Sequence, residues 1–197
     1  MPIADRIKVI DSQTLADDWG VLKKNRIAWR RRDGTWQEML RETYDRGNGA
    51  VILPYDPDRR TVLLVRQFRY PAWVNGADDL LIEAAAGLLD NAAPAERIRA
   101  EAQEELGLRL RDATEVFQAY MSPGSVTECL HFFVARYDAT DRIGAGGGVK
   151  AEGEDIEVLE MDIDTALVAI ADGRIQDAKT IMLLQHAALH LFGNSRA

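Results

Sequence analysis

The first 45 residues alternate between short segments of apolar and β-branched residues and polar turns. This pattern predicts strands over 7–10, 20–31 and 36–44, and the Asp-Gly turn within 32–35 is typical of a hairpin. Two or three strands alone are marginally stable in water. We therefore interpret residues 1–46 as a β appendage that pairs either with the main domain or with a second copy of the chain.

From Gly49 onward the strand-like segments become more apolar and are interspersed with helical patterns. The order of segments predicts one α/β domain over 47–197, with an antiparallel or mixed sheet and helices on both of its faces. The supporting segments are AVILPY, TVLLVRQF, the apolar run DLLIEAAAGLLD, strands near 115–122, 130–137 and 156–161, and two closing helices.

One helix has well-marked ends, because Pro94 suits the first helical position and Gly107 suits the position just past the end. Residues at helical spacing form its apolar face, which should pack on the sheet. That face consists of Ala95, Ile98, Ala102 and Leu106. With about 100° per residue, Glu105 lies about 20° from Ile98 and Glu101 about 60° away on the same side. Glu104 lies about 120° away.

Glu105 is therefore predicted to lie beside a buried stripe, where a carboxylate costs several kcal/mol unless it is paired or bound to a cation. One interpretation is a solvated helix face on which Arg97 pairs with Glu101 at i, i+4. Against it, Glu101, Glu104 and Glu105 repel one another near a helix C-terminus, where negative charge is disfavoured. A divalent cation relieves both problems, and oxygen ligands favour Mg²⁺ or Mn²⁺.

Composition restricts the class of protein. The 197 residues are 47% apolar and 28% charged, which is typical of a soluble globular chain. A net charge of −8 argues against a nucleic-acid-binding surface, so a phosphate substrate would have to be met locally by a cation and a few basic side chains. Cys129 is the single cysteine, the start lacks a signal-peptide pattern, and no apolar run approaches the roughly 20 residues of a membrane span. We expect a cytoplasmic protein without a membrane role.

The stretch GAGGG at 144–148 is only superficially similar to a nucleotide-binding glycine loop. Such a loop needs a strand before it and a helix directly after it, whereas residues 149–154 are polar. We interpret the stretch as a mobile loop.

Gly87 and the sequence EAQEELGL at 101–108 resemble the Nudix box, Gx5Ex7REUxEExGU. Stretches outside the box are similar to the GDP-mannose pyrophosphatase branch of the Nudix hydrolases, and this resemblance extends from about residue 19 to residue 190. These stretches are TYDRGNGA, RQFR, WVNG, AAAGLLDN, YMSPGSVTE, GEDIEVLEM and DAKT.

The box departs from its consensus at three points. Ala93 stands where the first Glu is expected, Ala100 replaces the Arg before Glu101, and the spacing between the two box glycines is one residue short. The Arg usually orients a box carboxylate, and Arg97 or Arg99 could substitute for it. No metal ligand is removed.

The resemblance implies a Nudix fold, an α/β/α sandwich, in which Mg²⁺, or Mn²⁺ in its place, is held by the Ala86 carbonyl, Glu101, Glu105 and Glu154. It implies cleavage of a nucleoside diphosphate sugar at its pyrophosphate, with GDP-mannose giving GMP and mannose 1-phosphate. Glu104 would support the metal site or bind another ion. Glu128 and Glu152 are the candidates for the catalytic base, since a loop carboxylate can close over the site and take a proton from water. We interpret Glu152 as the base and Glu128 as a ligand contact.

The resemblance also implies a homodimer with a composite active site, for which residues 1–46 would supply the dimerisation strands. Trp19, Arg41 and Glu42 match positions that reach the ligand across the dimer interface. Leu40 departs from the basic residue expected there. The remaining implied substrate contacts are Arg69, Ala86, Gly87, Leu88, Glu105, Glu128 and Lys179.

Two alternatives remain open from the sequence. The first is a pyrophosphatase for ADP-ribose or another ADP-sugar, because a metal site does not discriminate between bases or sugars. The second is a nucleotide-sugar-binding regulator without turnover, although such a protein would have no need to retain every metal ligand.

Overall fold

The computed structural model describes residues 2–193, apart from the side chain of Glu152. Within this range the chain forms two compact units. The N-terminal unit runs to Asn48 and includes Tyr120–Cys129, and the main unit comprises Gly49–Ala119 and continues from Leu130. None of the helices in the described residues combines the length and the apolar character needed to cross a membrane.

The N-terminal unit contains an antiparallel sheet in the order β1-β2-β3. The predicted hairpin turn is confirmed, with Arg31 N–H donating to the Thr35 carbonyl across it at 2.8 Å. The first strand is longer than predicted. The sequence pattern missed its second half because nearly all of the strand is exposed, so it lacks the apolar and polar alternation that marks a half-buried strand. The strands are β1 (Ile7–Asp17), β2 (Val21–Arg30) and β3 (Trp36–Asp45).

The main unit is built on a mixed sheet, as predicted, and this sheet has seven strands in the described part of the chain. Its order is β10-β5-β4-β9-β8, with β6 paired to β5 and β7 paired to β4. Strand β4 runs parallel to β9 and antiparallel to β5 and β7. The strands are β4 (Gly49–Asp56), β5 (Thr61–Gln67), β6 (Leu81–Glu83), β7 (Ala85–Leu88), β8 (Thr114–Tyr120), β9 (Cys129–Arg136) and β10 (Glu157–Asp162).

Helices cover both faces of this sheet, which confirms the predicted layering. Ala50 and Ile52 of β4 belong to the core that packs against the second helix. Val51 and Leu53 are also fully buried, and strand alternation directs them to the opposite face, where α4 contacts β4. The helices are α1 (Tyr70–Val74), α2 (Pro94–Leu106), α3 (Ile163–Ala171) and α4 (Ala178–His190).

Helix α2 has the bounds predicted from its sequence. Pro94 occupies the first turn, and Gly107 adopts the left-handed conformation at φ 67°. The N–H of Leu108 donates back to the Ala102 carbonyl at 3.0 Å, which closes the helix end. Sequence patterns missed α1, because its five residues are too few to show a helical period, and they did not separate β6 from β7 within one apolar run.

The GAGGG stretch, which we call the glycine strap (residues 144–148), is not the mobile loop expected from sequence. The N–H of Gly147 donates to the Glu105 carbonyl at 3.0 Å, and the N–H of Gly148 donates to the Glu104 carbonyl at 3.1 Å. Carbonyls in the last turn of a helix have no partner within the helix, and the strap supplies two. The glycine strap therefore fastens the end of α2 that carries the acids.

Gly146→Ala should destabilise the protein by about 1–3 kcal/mol. Its φ is 70°, and an added Cβ would lie 2.3 Å from the Glu105 carbonyl oxygen. Gly144→Ala is the matched control, because a Cβ there meets no atom of the described residues within 4 Å. Chemical denaturation of both variants checks this, and equal losses of unfolding free energy would contradict the packing described for the strap.

Candidate active site

The acids of α2 are buried in the order that helical geometry predicts. Glu105 and Glu101 are 2% and 5% exposed, whereas Glu104 is exposed. Both buried acids lie on the helix face that packs on the sheet, alongside Ile98 and Ala102. The helix therefore carries two carboxylates into a low-dielectric region, where each needs a compensating partner.

Glu101 lies directly against the backbone of Gly87. A Cβ at position 87 would overlap the Glu101 carboxylate, so only glycine leaves room for this acid. Arg97 binds the same carboxylate at 2.5 Å, and its Nε also donates to the Leu88 carbonyl at 3.1 Å. Its Nη1 lies 3.9 Å from Glu104. The i, i+4 pair considered from sequence therefore exists, and Arg97 orients a box carboxylate from a position other than 100.

Glu105 is less well compensated. The Ala86 N–H donates to its carboxylate, but its Oε2 is buried and has no hydrogen-bond partner among the described residues. Burial, together with the charges of Glu101 and Glu154, raises the pKa of Glu105 to about 8, against the opposing effects of Arg69 and the Ala86 N–H. A buried carboxylate oxygen without a partner, repelled by two other acids, is an environment that a cation would stabilise.

Glu154 joins the acids of α2 from a distant loop. It is half-buried, and its Oε2 accepts a hydrogen bond from the Val149 N–H at 2.7 Å. A Cβ at Gly148 would lie 2.5 Å from the same oxygen, so the glycine strap also makes room for this acid. Its charge acts on Glu105. The structure thus brings Glu154 and Glu105 into one electrostatic site.

These acids are not already arranged as ligands around a point. Among the described residues, no group of three or more His, Cys, Asp or Glu side chains has the geometry of a metal site. The reason is visible in the contacts, because Glu101 is held by Arg97 and Glu154 is held by a backbone N–H. The oxygen of Glu105 that lacks a partner among the described residues and the repulsion among the acids still fit a cation, which would compete with this ion pair and this hydrogen bond.

Two predicted substrate cations, Arg69 and Lys179, share a partner that sequence reasoning missed. Arg69 donates to Glu83 through Nε at 3.2 Å and Nη2 at 2.9 Å, and Lys179 Nζ donates to Glu83 at 3.2 Å. Glu83 is 2% exposed. Burial lowers the pKa of Arg69, but Glu83, with Glu105 and Asp177, outweighs this effect and raises it. Arg69 therefore connects the cation pair electrostatically to the acids of α2.

The only sequence signal for Glu83 was an acid inside the apolar run DLLIEAAAGLLD.

Other predicted site residues belong to the N-terminal unit. Trp19 is 72% exposed, and the Arg46 guanidinium lies 5.1 Å from its ring centroid. The same Arg46 pairs with Glu128 at 3.4 Å, so the structure brings Trp19 and Glu128 together through a residue that sequence reasoning missed. Arg41 and Glu42 are exposed on β3, opposite Asn25 and Lys24 of β2. The side chain of Glu152 lies outside the described residues.

Comparison with known proteins places the chain in a family. The "GDP-mannose pyrophosphatase NudK N-terminal domain" family matches residues 6–44. A GDP-mannose pyrophosphatase of Pectobacterium atrosepticum is 50% identical over 93% of this chain and 94% of its own length. One of Yersinia enterocolitica is 49% identical over 94% of this chain and 96% of its own. The chain belongs to the GDP-mannose pyrophosphatase family of Nudix hydrolases.

Membership in the GDP-mannose pyrophosphatase family confirms the resemblance drawn from the Nudix box and from the stretches outside it. It also confirms the expected enzyme class, a Nudix hydrolase. A solved structure described as an ADP compounds hydrolase superposes with a TM-score of 0.70 over 91% of each chain, at 16% identity. At that identity the match shows the fold alone, and it confirms the predicted Nudix fold.

Glu105→Gln should raise the stability of the metal-free protein at pH 7 by about 1–3 kcal/mol, because it removes the cost of burying or protonating a carboxylate whose pKa is raised to about 8. Excess MgCl2 should raise the melting temperature of the wild type but not that of the variant. Thermal denaturation with a chelator and with MgCl2 measures both effects. The control is the exposed neighbour, Glu104→Gln, which should change stability in chelator by less than about 0.5 kcal/mol. A destabilised, Mg²⁺-responsive Glu105→Gln protein would contradict this account of the site.

Proposed function

We propose that this chain is a Mg²⁺-dependent pyrophosphatase that cleaves GDP-mannose to GMP and mannose 1-phosphate in the cytoplasm. The observation that carries the proposal is near-half identity, over almost the whole chain, to proteins named GDP-mannose pyrophosphatase. The geometry supports it, because a buried acid cluster and a cation pair held by the buried Glu83 interact through Arg69 in the same unit. A diphosphate needs both kinds of group, since a divalent cation and basic side chains share its negative charge.

In this proposal Glu101, Glu105, Glu154 and the Ala86 carbonyl hold the Mg²⁺. The ion, when bound, neutralises the diphosphate and polarises the bond under attack. Gly87 provides the space in which Glu101 approaches the backbone, Gly148 of the glycine strap leaves room for Glu154, and the Val149 N–H donates to Glu154. Glu104 remains exposed beside Arg97, and it would support the metal site or bind another ion.

Substrate contacts and proton transfer are assigned to the remaining predicted site residues. Arg69 and Lys179 carry the charges that meet the phosphates, and Gly87 and Leu88 lie on the strand next to the acids. Glu152 is proposed as the base that takes the proton from the attacking water, and Glu128 as a ligand contact. The support for Glu152 is its place in the loop directly before Glu154.

Substrate profiling tests the activity. With Mg²⁺, the wild type should release GMP from GDP-mannose with a higher kcat/KM than it releases AMP from ADP-ribose or ADP-glucose. Glu105→Gln should reduce the rate by at least about 100-fold while leaving the protein folded, because a metal ligand is lost. Preference for ADP-ribose would establish the first alternative, and no nucleoside monophosphate from any of the three would favour the regulator.

A homodimer is proposed as the functional form, with Trp19, Arg41 and Glu42 of one copy reaching the substrate of the other. The support is a set of exposed apolar side chains in the N-terminal unit, where Val9 is 65%, Leu40 55% and Trp19 72% exposed. Burying such side chains against a second copy would remove apolar area from water.

Size-exclusion chromatography with light scattering should give twice the mass of the chain, because burial of these side chains favours association. Leu40→Glu should shift the protein toward a single copy, since it would place a charge in the interface. Glu38→Gln, on the same strand, serves as the control and should leave the mass unchanged. A wild type that is monomeric at all concentrations would remove Arg41 and Glu42 from the site.

A further inference from the structure

Glu83 is a buried carboxylate that the proposed function does not use. It ends β6, opposite Val65 of β5, and is 2% exposed. Such a group is tolerated only when cations or hydrogen bonds compensate its charge. Here both compensating groups are Arg69 and Lys179, the two cations assigned to the substrate.

The geometry leaves hydrogen-bond donors on both cations. Arg69 has five N–H groups, and Glu83 accepts from Nε and from one N–H of Nη2. The other three have no acceptor among the described residues, and 42% of the Arg69 side chain is exposed. Lys179 has three N–H groups, of which Glu83 and Asp177 occupy two. Glu83 thus fixes one edge of each cation and leaves another edge for an anion.

The backbone beside Glu83 is tied to the start of α4, which carries Lys179. Asp177 caps that helix by accepting from the Thr180 N–H at 2.9 Å, and it pairs with Lys179 at 2.8 Å. Thr180 Oγ1 in turn accepts from the Ala84 N–H at 2.7 Å. This chain of contacts places Lys179 beside Glu83, although the two residues are 96 positions apart in the sequence.

We propose that Glu83 is a positioning residue that holds Arg69 and Lys179 side by side, so that their remaining N–H groups bind the diphosphate of the substrate. The inference rests on the proposed function. Two adjacent cations repel each other, and both side chains lose considerable rotamer freedom when an anion orders them. A buried carboxylate between them removes the repulsion and orders them in advance, which lowers the entropic cost of binding the diphosphate.

Steady-state kinetics of Glu83→Gln is the first test. The KM for GDP-mannose should rise by about tenfold or more while kcat changes by less than about threefold, since contacts made equally in ground and transition states affect KM alone. Glu160→Gln is the matched control. Glu160 also bridges two arginines, Arg59 and Arg142, and its loss should leave KM unchanged.

Binding of GDP in the presence of a chelator is the second test, because it reports on the cations without turnover. Calorimetry should show about tenfold weaker binding to Glu83→Gln than to the wild type. In an Arg69→Gln/Lys179→Gln background, adding Glu83→Gln should produce no further loss, as expected for residues that act as one unit. Glu83→Asp retains the charge but withdraws it by one methylene, so its KM should lie between those of the wild type and Glu83→Gln.

Unchanged KM and unchanged GDP affinity in folded Glu83→Gln would overturn the proposal, as would an equal loss in the background that lacks both cations. If Glu83→Gln does not fold, Glu83→Asp decides, and wild-type values for that variant overturn the proposal. A wild type that binds GDP in a Glu83-dependent manner but hydrolyses no GDP-mannose would remove the proposed function and leave the role of Glu83 in place.

Discussion

The burial of two carboxylates under α2 is the constraint on which the main unit depends. Glu101 and Glu105 lie on the face of the helix that packs on the sheet, where an unpaired charge costs several kcal/mol. Neighbouring features reduce that cost, because Gly87 admits the Glu101 carboxylate to the backbone and Arg97 pairs with it. Glu105 retains an oxygen without a hydrogen-bond partner in the described part of the chain. The fold tolerates this incompletely compensated buried carboxylate at the place where the proposed activity needs negative charge.

The glycine strap and helix α2 depend on each other structurally. Gly147 and Gly148 donate to carbonyls in the last turn of α2, and the following residues bring Glu154 beside Glu105. A single stretch therefore completes the helix end and supplies a third acid. Its left-handed glycines permit backbone contacts that residues with a Cβ would block.

On the cationic side of the site, Glu83 likewise serves two groups at once. One buried carboxylate fixes Arg69 and Lys179, and Arg69 interacts with Glu105 on the acidic side. Cationic and acidic groups that interact in this way suit the diphosphate and the divalent cation of the proposed function.

The sequence by itself determined the features that depend on local chemistry. Pro94 and Gly107 set both ends of α2, because end signals act through the backbone of adjacent residues. Helical periodicity ranked Glu105 and Glu101 as buried and Glu104 as exposed, since a fixed turn per residue assigns each side chain to a face. The family was also readable from the stretches outside the degenerate box.

Only the tertiary structure decided which distant residues meet. Lys179 and Glu83 are 96 positions apart, and no local pattern encodes a pairing created by the packing of α4 against the sheet. Arg46 likewise joins Trp19 to Glu128 through the pairing of separate segments. The prediction for the glycine strap was wrong for the same reason, because the partners of its N–H groups lie on a helix about 40 residues earlier in the chain. A glycine in the sequence indicates that an unusual backbone conformation is permitted, but it does not indicate which contact requires that conformation.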